Sequence, residues 1–269
     1  MRNKSRIRVA ISLHQGRRSY NEDNFYSGEY IYGDCKKGRP LAHKINIPNI
    51  CAVCDGMGGL TKGSLASKNA VTFIKEHKGY ILDQLNKRCY DKNQDSKVVV
   101  WINQFINNLN ASMSSSMKNQ VNYGSTLAMV VLDRYKIYVS NVGDSRVYAL
   151  INNSIKQITV DHNQRTNAMA FGFKPEDSSW GRNILTQYLG MPKDRIILEP
   201  HVISLDYSPM TILVCSDGLT EVLDEKEILN LFLASRWRTL KSLSKKYIQR
   251  ALDNGSKDNI TVMLIRIKN

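Results

Sequence analysis

Ile50-Cys51-Ala52-Val53-Cys54-Asp55-Gly56-Met57-Gly58-Gly59 carries an apolar run straight into a carboxylate and then a glycine-rich bend. Ile47 to Cys54, a short apolar run closed by turn residues, reads as a buried strand. Residues three apart on a strand point to opposite faces, so Cys51 and Cys54 are expected as core filler, not as a metal or redox pair. Asp55 stands where that strand ends and a sheet opens to water. Taken alone, Asp55-Gly56 is an ordinary turn signal.

The setting recurs, and the recurrence carries the information. Asp144 follows Ile137 to Gly143, Asp217 follows Ile212 to Ser216, and Asp258 directly precedes Asn259 to Ile265. Glu22 and Asp23 precede a further strand-like run. Carboxylates brought together repel one another and resist desolvation unless cations neutralise them. If these strand ends converge, an all-oxygen site favours Mg²⁺ or Mn²⁺ over Zn²⁺. No His/Cys cluster has zinc spacing.

Outward from these segments, the chain reads as strands, two helices, more strands, two helices and a last strand. Strands are expected at Arg6 to His14, Phe25 to Tyr32, Ser125 to Leu132, Lys136 to Asn141, Arg146 to Ile151, Ile155 to Val160, Ile196 to Leu205, Thr211 to Cys215 and Asn259 to Ile267. The three central runs are separated by turn-prone pairs and suggest antiparallel hairpins. Thr61 to Leu85 has helical spacing, with Leu65, Val71, Ile74, Ile81 and Leu85 inward and a break at Gly79. Val98 to Met117 has a stripe of Trp101, Phe105, Ile106, Leu109 and Met113. Glu225 to Ala234 and Leu240 to Leu252 read as helices, Asp34 to Asn46 as an exposed basic loop, and Asp161 to Arg182 as a flap or small helical excursion. This order is not βαβ alternation. It predicts an α+β layered protein with antiparallel sheets and helices outside them.

The chain has 269 residues, 42% hydrophobic and 23% charged, as an ordinary globular protein does. Its 38 Lys and Arg against 24 Asp and Glu give a net charge of +14. The basic residues form no long block and are expected to be spread over the surface, so no nucleic-acid or membrane partner is expected. Five cysteines without regular spacing argue against a disulfide framework. The basic N-terminus (Arg2, Lys4, Arg6, Arg8) precedes an apolar run too short for a signal peptide, and nothing approaches the roughly 18 apolar residues of a spanning helix. A cytoplasmic monomer is expected.

Several short motifs, in order, resemble the metal-dependent protein phosphatase family, the protein phosphatase 2C-like (PPM) enzymes, in its bacterial style. They are Arg18-Ser-Tyr-Asn-Glu22-Asp23, Asp55-Gly-Met-Gly-Gly59 with Gly63 and Ala66-Ser67, Gly124-Ser-Thr-Leu127, and Asn141-Val-Gly-Asp-Ser-Arg146. Asp161-His162, Leu185-Thr186 with Leu189-Gly190, Ser216-Asp-Gly-Leu219 and Ser256-Lys-Asp-Asn-Ile-Thr261 complete the series. The resemblance spans residues 18 to 258 and implies one domain, 1–269, folded as a four-layer α-β-β-α sandwich with two mainly antiparallel sheets.

It also implies roles. Asp55 resembles the ligand bridging two Mn²⁺ or Mg²⁺ ions, with the Gly56 carbonyl on one and Asp217 and Asp258 on the other. Glu22 and Asp23 would hold metal-bound waters, and Asp144 with Asp217 resembles a weaker third-metal site. Arg18 would bind the substrate phosphate bidentately. The implied reaction is hydrolysis of phosphoserine and phosphothreonine in proteins by a metal-bridging water, without a phosphoenzyme. Arg18, Asp55 and Asp217 are the implied catalytic residues, phosphoproteins and a cognate Ser/Thr kinase the implied partners, and signal transduction the setting. His162 is read as structural and Asn259 as a turn residue. Met57 stands where many eukaryotic members have a histidine proposed as general acid, which leaves leaving-group protonation to water or another group.

A cysteine phosphatase would need Cys-x₅-Arg, and after five intervening residues from Cys215 the arginine's place is taken by Glu221. A nucleotide P-loop would need Lys where Ser64 stands. The competing reading is a catalytically silent relative acting as a binding or regulatory module. Lost aspartates would mark it, and the core aspartates are all present.

Overall fold

The computed structural model describes residues 7–32, 40–58, 61–87, 95–116, 123–174, 181, 184–192, 198–235 and 238–268. Two antiparallel sheets lie face to face. The first contains β1 (Ile7–His14), β4 (Leu41–Ile45), β9 (Arg146–Ile151), β10 (Ser154–Gln157), β12 (Met210–Cys215) and β13 (Ile260–Ile267), in the order β10-β9-β12-β13-β1-β4. The second contains β2 (Asp23–Ser27), β3 (Tyr30–Ile31), β5 (Asn49–Met57), β7 (Leu127–Leu132), β8 (Lys136–Val142) and β11 (His201–Asp206), in the order β11-β8-β7-β5-β2-β3. A short β6 (Gly124–Ser125) pairs with the end of β5.

Helices α1 (Thr61–Lys87) and α2 (Asp95–Ser116) cover the outer face of the second sheet, and α4 (Asp217–Thr220), α5 (Glu225–Ala234) and α6 (Leu240–Asp253) that of the first. α3 (Gln164–Ala170) lies in the β10–β11 connection. The result is the four-layer α-β-β-α sandwich that the family resemblance implies.

Both faces of the central strands are buried, which is why they read as unbroken apolar runs. On β7, Leu127, Met129 and Val131 face α1 and α2, while Ala128, Val130 and Leu132 face the other sheet. On β5, Cys54 faces the helices and Cys51 the sheet interface, both buried. On β13, Met263 and Ile265 face inward and Val262 and Leu264 meet α6. Ile74, fully buried on α1, joins helix and sheet. Ile74→Ala is expected to cost about 2–5 kcal/mol of unfolding free energy in denaturant titration, because the cavity cannot collapse between a helix and a sheet.

Several expectations are corrected. Leu65 is 51% exposed, since the buried stripe of α1 runs through Ala66, Ala70, Val71 and Ile74, about 100° round the helix. α1 continues through Gly79, anchored on either side by buried Ile74 and Ile81. Phe25 to Tyr32 is two strands around a turn at Gly28 (φ 79°). Leu41–Ile45, read as loop, is edge strand β4, because β1 supplies its hydrogen-bonding partner; the rest of that basic loop, 33–39, lies outside the described residues. Lys136 to Asn141 and Arg146 to Ile151 do not form a hairpin: Gly143 (φ 93°) turns the chain from the second sheet into the first. Trp101 is only partly buried. Among the described residues no helix is long and apolar enough to cross a membrane.

Candidate functional site

The ends of β2, β5, β12 and β13 open on the same edge of the sandwich, and the acidic residues gather there. Asp23 and Asp55 are direct register partners on β2 and β5. Asp217, first residue of α4, follows β12, and Asp258 precedes β13. Asp55 and Asp217 meet side chain to side chain, a contact that raises the Asp55 carboxyl and lowers that of Asp217. Asp144 enters on the crossover between sheets and feels the charges of Asp217 and Asp161.

Asp23, Asp55 and Asp161 rest on polar supports. Asp23 is buried, and its Oδ2 accepts from Ser216 Oγ at 2.7 Å and Thr261 Oγ1 at 2.6 Å. The Asp55 backbone is gripped by Thr126, whose N–H donates to its carbonyl at 2.8 Å and whose Oγ1 accepts from its N–H at 3.0 Å. Ser145 meets Thr126 Oγ1 at 2.6 Å, and Ser125 Oγ donates to the Asp55 carbonyl at 3.0 Å. Asp161 accepts a fork from Arg146, Nε at 3.0 Å to Oδ1 and Nη2 at 2.7 Å to Oδ2.

The loop from 15 to 22 is clamped from the far end of the chain. Asn259 accepts from the Glu22 N–H at 2.7 Å and donates to the carbonyls of Gln15 at 2.8 Å and Tyr20 at 3.0 Å. It ties a loop together, a larger role than ending a turn. Arg18 Nη2 meets Asp258 Oδ2 at 2.6 Å, so the arginine stands at the site, paired with an acid. His162 accepts from the Gly143 N–H through Nδ1 at 3.3 Å, on the β8–β9 crossover.

Two close approaches depend on glycine. A Cβ on Gly56 would lie 1.9 Å from the Gly63 carbonyl oxygen, and one on Gly63 2.4 Å from Glu22 Oε1, so the two glycines bring the start of α1 against Glu22. Gly16 has φ 64°, and its Cβ would lie 1.9 Å from the Asp258 carbonyl oxygen. Gly16→Ala must therefore move the Asp258 backbone. We expect a loss of about 2–4 kcal/mol, read as a fall in melting temperature, with weaker Mn²⁺ binding in the same protein.

Burial leaves these acids reluctant to ionise. It pushes Asp23 up to about 7 and Asp144 up to about 8, the latter helped by Asp217 and Asp161. Burial, with Asp23 and Asp217 beside it, carries Asp55 well above the carboxylate range, and Asp217 and Glu22 are raised by burial too. Glu221, beyond Asp217, is raised for the same reason, and no sequence motif points to it as a site residue.

The residues fit divalent cations. Among the described residues Glu22 Oε1, Asp23 Oδ1 and Asp217 Oδ1 are buried oxygens with no hydrogen-bond partner, which is costly for carboxyl groups unless a cation meets them. The donor set is all oxygen. Among the described residues no three of the acids are arranged as a closed metal cage, since Asp258 is turned to Arg18 and Asp55 to Asp217. Beside the acids a groove of about 500 Å³ leads from Asp144 and Asp217 past Arg165 and Met169 to Glu225.

Ser216, Thr261, Thr126 and Ser145 are functional supports that stand inside the sequence motifs without an assigned role there. A signal was available: each hydroxyl stands beside a strand-end acid or on the strand paired with it.

The sequence profile described as protein phosphatase 2C matches residues 41–254. A serine/threonine phosphatase, stp, of Listeria welshimeri is 29% identical over 257 residues, covering 92% of this chain and 90% of its own. The crystal structure of the serine/threonine phosphatase Stp1 from Staphylococcus aureus superposes with a TM-score of 0.74 at 25% identity, over 97% of this chain and 95% of that one. The catalytic domain of the phosphatase PstP, in complex with two manganese ions, shares the fold at 21% identity and a TM-score of 0.73, covering 98% and 99% of the two chains. With a profile matched across most of its length and the sandwich that carries these strand-end aspartates, the chain belongs to the protein phosphatase 2C family.

Proposed function

We propose that this chain is a divalent-metal-dependent protein serine/threonine phosphatase acting as one catalytic domain, and that its substrates are phosphoserine and phosphothreonine in proteins. The observation that carries the reading is the set of buried, unpartnered carboxylate oxygens at one sheet edge beside an arginine. Asp55, the Gly56 carbonyl, Asp217 and Asp258 would hold two Mn²⁺ or Mg²⁺ ions, Glu22 and Asp23 would act through water, and Asp144 with Asp217 would form a weaker third site. Such cations, when bound, lower the pKa of water at the site and absorb charge on the phosphoryl oxygens.

The chain's own groups do the rest. Arg18 is 56% exposed at the mouth and uses one nitrogen on Asp258, leaving guanidinium N–H groups to orient a phosphate. Ser216 and Thr261 fix one oxygen of Asp23 and leave the other facing the site. Thr126 holds Asp55 at a fixed height on β5. In the overall reaction an oxygen of water bonds to phosphorus, the bond to the serine or threonine oxygen breaks, and that oxygen takes up a proton. Met57 has no proton to give, so that proton comes from water or another group. The groove beside Asp144 has room for residues flanking the phosphorylated side chain.

The test is phosphate release from phosphothreonine, phosphoserine and phosphotyrosine peptides with Mn²⁺ present. Turnover of the first two is expected. A folded, Mn²⁺-binding protein that releases phosphate from none of them would instead be the silent binding or regulatory module.

A further inference from the structure

Strand register gathers basic residues that look scattered in the sequence. Lys44 on β4 is the direct partner of Arg8 on β1, and Arg8 of Arg266 on β13. Three cations therefore stand side by side across adjacent strands, about 5 Å apart from strand to strand. They share the helix-bearing face of the first sheet, since Ala10 and Leu264, two residues along, pack under the helices. Like charges placed directly opposite destabilise a sheet. Among the described residues no acid relieves them, because the ion pairs lie elsewhere. Arg266 is half-buried, and its guanidinium is pushed below its ordinary value by burial and by Arg8.

The row continues through Thr211 and Leu150, the next register partners, to a shallow, open depression of about 290 Å³ on the surface. Its lining joins Arg266 and Lys268 to apolar Leu150, Met210 and Phe232. Arg2, Lys4 and Arg6 lead directly into β1 in the sequence. The catalytic acids sit at the opposite end of β1, roughly 20 Å away at about 3.3 Å per residue.

We propose that this basic end of the first sheet docks the protein onto an anionic lipid surface. A line of cations beside a shallow, partly apolar depression suits an amphiphile, whose charged headgroup meets Lys44, Arg8 and Arg266 while the glycerol end of its chains covers the depression. A nucleic acid offers charge without the apolar partner. Docked through this end, the protein turns its catalytic edge away from the membrane and toward soluble phosphoproteins. Clusters of four to eight Lys and Arg are the usual signature of binding to acidic headgroups.

The test is co-sedimentation of the full chain with vesicles of phosphatidylcholine carrying about one-third phosphatidylglycerol, against pure phosphatidylcholine vesicles. Binding to the acidic vesicles alone is expected, weakened by salt. The double variant Arg8→Glu, Lys44→Glu changes two exposed side chains and should bind at least about tenfold more weakly with an unchanged melting temperature. If that variant melts early, Arg8→Ala with Lys268→Ala replaces it, with the same expected direction. Failure of the wild type to sediment with acidic vesicles would overturn the proposal. So would equal binding by a folded variant, or a variant defect in duplex DNA binding with vesicle binding intact.

Discussion

Asp217→Asn is expected to reduce phosphate release from a phosphothreonine peptide by on the order of 10³ or more, through loss of several kcal/mol of transition-state stabilisation. The substitution keeps the shape of the side chain and removes its charge. Asp217 is the hub of the cluster: it contacts Asp55, feels Asp258 and raises Asp144. Asparagine at this position also removes a repulsion among buried acids. The metal-free variant should therefore melt at or above the wild-type temperature at pH 8 while its Mn²⁺ affinity falls. Lost turnover with preserved or increased stability separates removal of a ligand from damage to the fold. A variant that retained turnover within about tenfold would remove Asp217 from the chemistry.

The second large effect is a stability that depends on pH and metal together. Burial raises Asp23 to about 7 and Asp144 to about 8 in the folded chain, and carries Asp55 well above the carboxylate range, against about 4 for an unfolded carboxylate. The folded state thus holds protons that the unfolded state has released. For groups raised in this way, stability is fully present below the unfolded value and is lost as pH rises through the folded value. Without metal the melting temperature should fall between about pH 4 and pH 8. Mn²⁺ replaces the missing protons, so its stabilisation should be larger at pH 8 than at pH 5.5, by roughly 5 °C or more at saturation. Differential scanning fluorimetry across pH, with chelator or with Mn²⁺, reads both slopes. A Mn²⁺ shift independent of pH would mean that the metal binds away from these acids.

How much of the fold is legible in the amino-acid sequence depends on whether the signal is local. Glu225–Ala234 is bounded as expected because its N-cap, Asp224, and its apolar spacing lie within the segment. The apolar runs of β5, β7 and β12 announce burial on both faces, in keeping with the layered α+β reading, while the four-layer sandwich itself is what the family resemblance implies. β4 is hidden because Leu41-Ala-His-Lys-Ile45 has little strand character of its own and is held by pairing with β1. The step at Gly143 is hidden for a similar reason: a turn residue marks a change of direction and not whether the next strand stays in the same sheet.

The site divides along the same line. Acids at strand ends can be picked out one by one, and their order supplies the family resemblance. Which partner meets which acid cannot, because those contacts join residues far apart in the chain. Thr261 reaches Asp23, Asn259 reaches Glu22, and Arg18 reaches Asp258, each across more than 230 positions. The row of Lys44, Arg8 and Arg266 is the surface counterpart, since only register places the three abreast.

The most direct test of the account is phosphate release from a phosphothreonine peptide by the wild-type chain, stripped of metal and then titrated with Mn²⁺. The account predicts no turnover in chelator and a saturable rise as Mn²⁺ is added. Undiminished turnover in chelator, or a protein that binds Mn²⁺ and releases no phosphate, would contradict it.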